Sequence, residues 1–294
     1  MASFLFTKGW RFFMVKIKSM DTKQYRWVTG ESVMNTKLIC RILIILALFS
    51  LLVACDSTAP IPQKKKELLI YCGITMVKPV RELADSFEKQ ENCIVKIMIG
   101  GSGTLYRIIE VNQVGDLYLP GSESYINKTF ASGSTIQTKL VGYNRAALVV
   151  AKGNPLEISP NISNLTSKKY RVVLGSPDSG SIGKETKNIL STFDLYEQAV
   201  DNSLFLTSDS KGLRQAIVEN TADLALNWYA TTVWQENKES MEALSLAEGV
   251  APKHQLIIGL LKYSKEPELA KRLFDFIGSD AGKKMFIHYG FGQE

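Results

Sequence analysis

Leu68 to Tyr71 form a short apolar run that stops at Gly73, and beyond Pro79 the apolar residues Val80, Leu83, Ala84 and Phe87 recur at helical spacing. The pattern predicts strand, loop and helix. A second round follows: Val95, Ile97 and Ile99 alternate as in a strand, Gly100 to Gly103 make a tight loop, and Leu105, Ile108 and Ile109 form a helical stripe. Asp116 to Leu119 reads as a third strand, broken by Pro120-Gly121, and Arg145 to Ala151 as an apolar run closed by Lys152-Gly153-Asn154-Pro155. After a polar stretch the pattern restarts. Strand Val172 to Leu174 leads through a Gly-rich loop, Gly175 to Gly183, into a helix from Lys184; strand Leu204 to Leu206 leads through Thr207 to Gly212 into a helix bearing Leu213, Ala216 and Ile217; Leu224 to Trp228 is a further strand. Gln255 to Leu261 predicts another strand, and the tail two helices, the last from Ser279 to Tyr289 and stopped by Gly290. Strands alternating with helices predict two similar α/β units, each with a parallel sheet covered on both faces.

A different pattern precedes them. From Met34 a basic head (Lys37, Arg41) leads into an apolar run from Ile42 to Ala54 that ends at Cys55. The run is too short for a bilayer span of about 18 residues or more and suits an export signal. Leu52-Val53-Ala54-Cys55 resembles the lipobox of bacterial lipoproteins, which implies acylation of Cys55. The polar, Pro-containing stretch 55–66 then reads as a tether. Residues 1–33 lack clear periodicity, so translation could start at Met1, Met20 or Met34. The expected location is the extracytoplasmic side of the cell membrane, with the lipid on Cys55 as anchor.

The formal net charge of +6 suggests a polyanionic partner until its address is found. Residues 1–54 hold eight Lys/Arg and two Asp/Glu; removing them from the 35 and 29 of the whole chain leaves 27 of each. The folded part is neutral, and no nucleic-acid partner is expected. Cys72 would end one strand and Cys93 open the next, at opposite ends of a parallel pair and beyond the reach of a disulfide, so two free thiols are expected.

Four loops carry the candidate chemistry: Thr75 to Pro79, Gly100 to Thr104, Gly175 to Lys184 and Thr207 to Gly212. Each follows a strand and starts a helix, where unpaired N–H groups and the helix dipole favour an anion. Catalytic motifs are near misses. Gly183-Lys184 is followed by Glu185, not Ser or Thr, and Gly100-Gly101-Ser102-Gly103-Thr104 is not a nucleophile elbow. His254 and His288 have no ligand-spaced partners, so no metal cation site is expected. A secreted hydrolase using Ser102 lacks a visible His partner, and the chain reads as a binder rather than an enzyme.

The ordered set LLIYCGITMVKPVRELADSFEKQ, GGSGTLYRIIE, GDLYLPGSESYI, ADLALNWYAT and KKMFIHYGF resembles the molybdate-binding periplasmic proteins of ABC importers, from about Glu67 to Phe291. The resemblance implies two Rossmann-like α/β lobes joined by a hinge, the periplasmic-binding-protein type II fold. Lobe 1 would comprise 67–141 plus 256–294 and lobe 2 142–255, hinged near Val141 to Asn144 and Val250 to Gln255. It implies a monomer without a cofactor that closes on molybdate or tungstate and delivers it to an ABC permease. Carried across by position, the ligand donors are the hydroxyls of Thr75 and Ser102, backbone amides around Ile182-Gly183 and Lys211-Gly212, and the phenol of Tyr229. Ile74 and Asn227-Trp228 depart from the family pattern, which keeps sulfate, phosphate or a small organic anion open as ligand. Presentation of the ligand to a membrane sensor is open too. An inward-facing Asp178 or Asp209 would reverse the preference for a fully ionised dianion; both are expected to face outward or cap a helix.

Overall fold

The computed structural model describes residues 64–292, so the signal run, Cys55 and most of the tether lie outside the described residues. Two five-stranded sheets organise the rest. The first has the order β2-β1-β3-β10-β4, with β1 Glu67–Gly73, β2 Ile94–Gly100, β3 Leu117–Leu119, β4 Thr135–Asn144 and β10 His254–Leu261. The second is ordered β7-β6-β8-β5-β9, with β5 Ala146–Ala151, β6 Val172–Gly175, β7 Ser203–Thr207, β8 Leu224–Trp228 and β9 Met241–Leu244.

β1 shows why the central strands read as continuous apolar runs. Leu68, Ile70 and Cys72 pack on one face with Val80, Leu83 and Phe87 of helix α1 (Val77–Glu91) and with Leu273 and Phe274. Leu69 and Tyr71 face the other side, with Leu105 and Ile109 of helix α2 (Ser102–Asn112) and Tyr125 and Ile126 of helix α3 (Glu123–Ala131). A strand covered on both faces has no polar side to alternate with. In the second lobe Leu148, Val173, Leu174 and Leu224 form the centre, covered by helices α4 (Ser181–Thr192), α5 (Tyr196–Asn202) and α6 (Ser210–Val218).

The sheets are mixed, which corrects the expectation of parallel ones. β1 is parallel to β2 and β3, and β6 to β7 and β8, but β10 runs antiparallel to β3 and β4, and β5 antiparallel to β8 and β9. The reversed strands flank the crossovers. β4 stays paired through Asn144 with His254, and the second sheet begins at Ala146, so Arg145 alone separates the two sheets on the outward path. Strand pairing in the first sheet thus continues past Val141 and resumes before Leu256. A short helix α7 (Ala230–Val233) follows β8, and α8 (Pro267–Ile277) and α9 (Asp280–His288) close the first lobe, where Phe286 and Phe291 are buried. Cys72 and Cys93 are free, buried thiols. Among the described residues no helix is long and apolar enough to cross a membrane.

Candidate functional site

The carboxyl ends of β1, β2, β6 and β7 converge where the lobes meet, and the loops there enclose a small cavity. Its walls are Gly73-Ile74-Thr75, Gly100-Gly101-Ser102 and Gly121 from lobe 1, and Gly180-Ser181-Ile182, Asp209-Ser210 and Trp228 from lobe 2. The space open to the centre of a water molecule is about 10 Å³, room for little more than one water. Four buried hydroxyls surround it, those of Thr75, Ser102, Ser181 and Ser210, two from each lobe.

Local sequence explains their positions. Ser102, Ser181 and Ser210 are each the first residue of a helix, and two of them directly follow a glycine, Gly101 or Gly180. Ser102 Oγ accepts the Gly121 N–H at 3.0 Å and Ser181 Oγ accepts the Trp228 indole N–H at 3.3 Å, so each hydroxyl uses a lone pair and keeps its proton to donate. Thr75 sits in the 3₁₀ turn Ile74–Met76 with its Oγ1 2.8 Å from Met76 Sδ, a weak acceptor that an oxyanion displaces readily. Buried Asn227 fixes the last of the four, its Nδ2 donating to the Ser210 carbonyl at 3.1 Å.

Among the described residues no Lys, Arg or His lines the cavity, and Asp209 is its one ionisable group. That carboxylate is a helix cap: Oδ1 accepts the N–H of Lys211 at 2.9 Å and of Gly212 at 3.2 Å. The amides expected to serve a ligand from Lys211-Gly212 are therefore bonded to Asp209. Thr75, Ser102 and Ile182 line the cavity, whereas Gly183 packs against Ser176 one residue further into its helix. The Lys211 side chain lines a neighbouring chamber, and the Tyr229 ring lies under the Arg145 guanidinium, 5.0 Å from its centroid, away from the cavity wall. Ser181, Ser210 and Gly121 were not singled out from the sequence as site residues, and Trp228 was noted only as a departure from the family pattern. The repeated dipeptide Gly101-Ser102 and Gly180-Ser181, one in each unit, was the signal that could have found Ser181.

The lobes touch backbone to backbone around this cavity. The Ser179 carbonyl of lobe 2 accepts the N–H groups of Gly103 at 3.1 Å and Thr104 at 3.2 Å at the start of α2, and Arg107 donates to the Asp178 carbonyl at 2.8 Å. A Cβ on Gly101 would lie 2.4 Å from the Ser179 oxygen, so only glycine allows this approach. Behind Trp228 is a partly buried charged cluster. His254 has Nδ1 3.1 Å from Glu123 Oε1 of lobe 1 and Nε2 2.8 Å from Glu185 Oε1 of lobe 2, the second contact an ion pair off the line of a good hydrogen bond. The Trp228 and His254 rings meet edge to face at 6.0 Å. Burial opposes the imidazolium, but the two glutamates outweigh it and raise its pKa to about 9. Burial also pushes up the Glu123 carboxyl, and its bond to His254, backbone hydrogen bonds and the His254 charge together more than reverse this, leaving it below its usual range. On the other flank Arg107, Lys128, Lys184 and Lys187 line a cleft of about 440 Å³ with Tyr106 and Tyr125. Burial, then neighbouring Lys128, lowers the Lys184 pKa, and with Asp178 as its one acidic wall residue among those described the cleft is net positive.

The model of the bacterial extracellular solute-binding proteins matches residues 68–292. A Haemophilus influenzae protein named as a binding protein is 25% identical over 76% of this chain and 90% of its own. YvgL of Bacillus subtilis, named as an ABC transporter substrate-binding lipoprotein, is 27% identical over 85% of this chain and 96% of its own. The molybdate-binding protein ModA of Mycobacterium bovis is 20% identical over 82% and 93%. Among solved structures, the molybdate-binding protein of Azotobacter vinelandii superposes with a TM-score of 0.66 at 14% identity, covering 77% of this chain and 99% of that one. A periplasmic thiamin-binding protein gives 0.67 at 16% identity, covering 78% and 83%. These likenesses place the two α/β lobes in the type II fold of periplasmic binding proteins.

Two predictions follow from the lobe contacts. Gly101→Ala should leave the circular dichroism of the folded chain unchanged and raise its radius of gyration in solution scattering, because the added methyl holds Gly101 off Ser179. His254 is bound as imidazolium in the folded state, so its contribution is complete below pH 6.5 and is lost as pH rises through about 9. Urea unfolding of the wild type should lose on the order of 2 kcal/mol more than His254→Gln between those limits.

Proposed function

The chain belongs to the family of bacterial extracellular solute-binding proteins, and we propose that it captures a tetrahedral oxyanion between its lobes, with molybdate or tungstate as the bare ion. It is a binding protein, as its family and relatives are, and not an enzyme. The observation that supports the oxyanion reading is the ring of four buried hydroxyls, two from each lobe, around a cavity with no cation in its wall among the described residues. Each hydroxyl or amide bonded to an anion contributes roughly 1.5–3 kcal/mol net, so several fixed donors offset the desolvation of a dianion. The small volume favours an inorganic head over a vitamin-sized ligand, and similarity to proteins named for molybdate supports molybdate or tungstate. Both oxygens of Asp209 have donors, Oδ1 from two amides and Oδ2 from Ser208 Oγ at 3.4 Å, so it offers little to the proton of hydrogen phosphate.

Delivery to an ABC permease fits the same reading, since closed lobes present one surface across both and a bound ligand shifts the population further toward that closed form. The lipobox-like Leu52-Val53-Ala54-Cys55 and the lipoprotein name of the relative YvgL support anchoring by Cys55, with stretch 55–66 as tether.

A melting scan of residues 56–294 against molybdate, tungstate, sulfate, phosphate, chromate and nitrate tests the proposal. Molybdate or tungstate at 100 times its dissociation constant should add about 2.7 kcal/mol of stability. Ser102→Ala and Ser181→Ala should each weaken binding by about tenfold or more without unfolding the chain. A shift by sulfate or phosphate and none by molybdate or tungstate would overturn the choice of ion, and no shift by any would overturn the oxyanion reading.

A further inference from the structure

Beside the small cavity lies a second chamber of about 280 Å³ that shares the walls Ile74, Thr75 and Ser210 with it. A bare ion held by the four hydroxyls leaves this chamber unused. Its remaining walls also come from both lobes: Val77, Lys78 and Ile99 from one, and Lys211, Arg214, Thr231, Trp234 and Glu236 from the other. The surface they offer is mostly apolar and aromatic, and Ile99 is 45% exposed on edge strand β2.

Two polar features separate the chamber from an ordinary crevice. Trp234 is 9% exposed, and its indole N–H is buried without a hydrogen-bond partner among the described residues, a deficit that an acceptor on a ligand would remove. Lys78 is neutralised by Glu236 at 2.5 Å, but neither Lys211 nor Arg214 is ion-paired among the described residues; Arg214 Nε donates to the neutral Asn237 side chain. An apolar slot with an orphan donor and two cations outside any direct ion pair among the described residues, opening beside the four hydroxyls, matches one ligand chemistry.

We propose that the physiological ligand is a monosubstituted oxyanion, its tetrahedral head held by the hydroxyls of Thr75, Ser102, Ser181 and Ser210 and its carbon substituent seated in the chamber against Trp234, Ile74 and Ile99. The proposal rests on the oxyanion reading of the small cavity and names the class of ligand for it. A planar or aromatic substituent bearing an acceptor fits best, because it stacks on apolar walls and accepts the Trp234 N–H. Such a substituent touches both lobes and so adds to the free energy of closure, whereas a bare ion reports on the cage alone.

The test compares affinities within pairs that share a head: phosphate with phenylphosphonate, and arsenate with phenylarsonate, with molybdate as a bare reference, by calorimetry on the chain from residue 56. In the wild type the aryl ion of at least one pair should bind tenfold or more tightly than its parent. That ratio should fall at least threefold in Trp234→Phe, which keeps a ring but loses the N–H and part of the wall. It should also fall in Ile99→Ser, a change at an exposed position that does not threaten the fold. Binding of bare ions with no gain from the aryl group, or a gain that survives both variants, overturns the chamber proposal and leaves the cage standing. Binding of neither bare nor substituted ions overturns the cage and this proposal with it.

Discussion

The closeness with which two backbones can approach sets everything at this site. Gly101 of lobe 1 passes so near the Ser179 and Ser208 carbonyls of lobe 2 that a methyl group would collide with them, and Gly121 lies equally close to the Ser181 hydroxyl. Without side chains at these two points the ends of β1, β2, β6 and β7 draw together until hydroxyls from both lobes share one small cavity. The approach also gives the lobes mutual hydrogen bonds, from the first amides of α2 to the Ser179 carbonyl. Closure is thus supported by the protein's own polar groups, and a ligand adds to a contact that the fold already permits.

Charge is arranged in layers around that contact. Among the described residues the cavity wall carries hydroxyls and the helix-capping Asp209 carboxylate but no cation, so the ion meets dipoles that need little rearrangement and one carboxylate already held by two amides. Trp228 separates this neutral layer from the Glu123–His254–Glu185 cluster, which joins the lobes near the crossover into β10. On the opposite flank the cations around Tyr106 and Tyr125 form a positive cleft. A folded domain with equal numbers of acidic and basic residues therefore holds cations in a nearby cleft without placing a fixed positive charge in the cavity wall. Selection by size and donor geometry, not by net charge, is the expected result.

The central strands were legible because both their faces are buried, as in β1, where Leu68, Ile70 and Cys72 point one way and Leu69 and Tyr71 the other. β4 escaped notice because most of Thr135–Asn144 is half-exposed edge, and helix α3 because its residues are largely polar. The parallel expectation failed at β5 and β10, whose direction is set by the crossings between lobes, a property of the whole chain that no local pattern carries. At the site, the four loops and the hydroxyls of Thr75 and Ser102 could be read in the sequence. Ser181 was marked only by the repeated Gly-Ser dipeptide, and Ser210 could not be separated from the amides that follow it, because that choice depends on where Asp209 places its carboxylate.

Anomalous scattering from crystals of the chain grown with tungstate tests the central claim most directly. The account predicts one strong tungsten peak between Ser102 and Ser181, within hydrogen-bond reach of both hydroxyls and of Thr75 and Ser210. A peak among Arg107, Lys128, Lys184 and Lys187 with none between the serines, or no ordered peak at all, would contradict it.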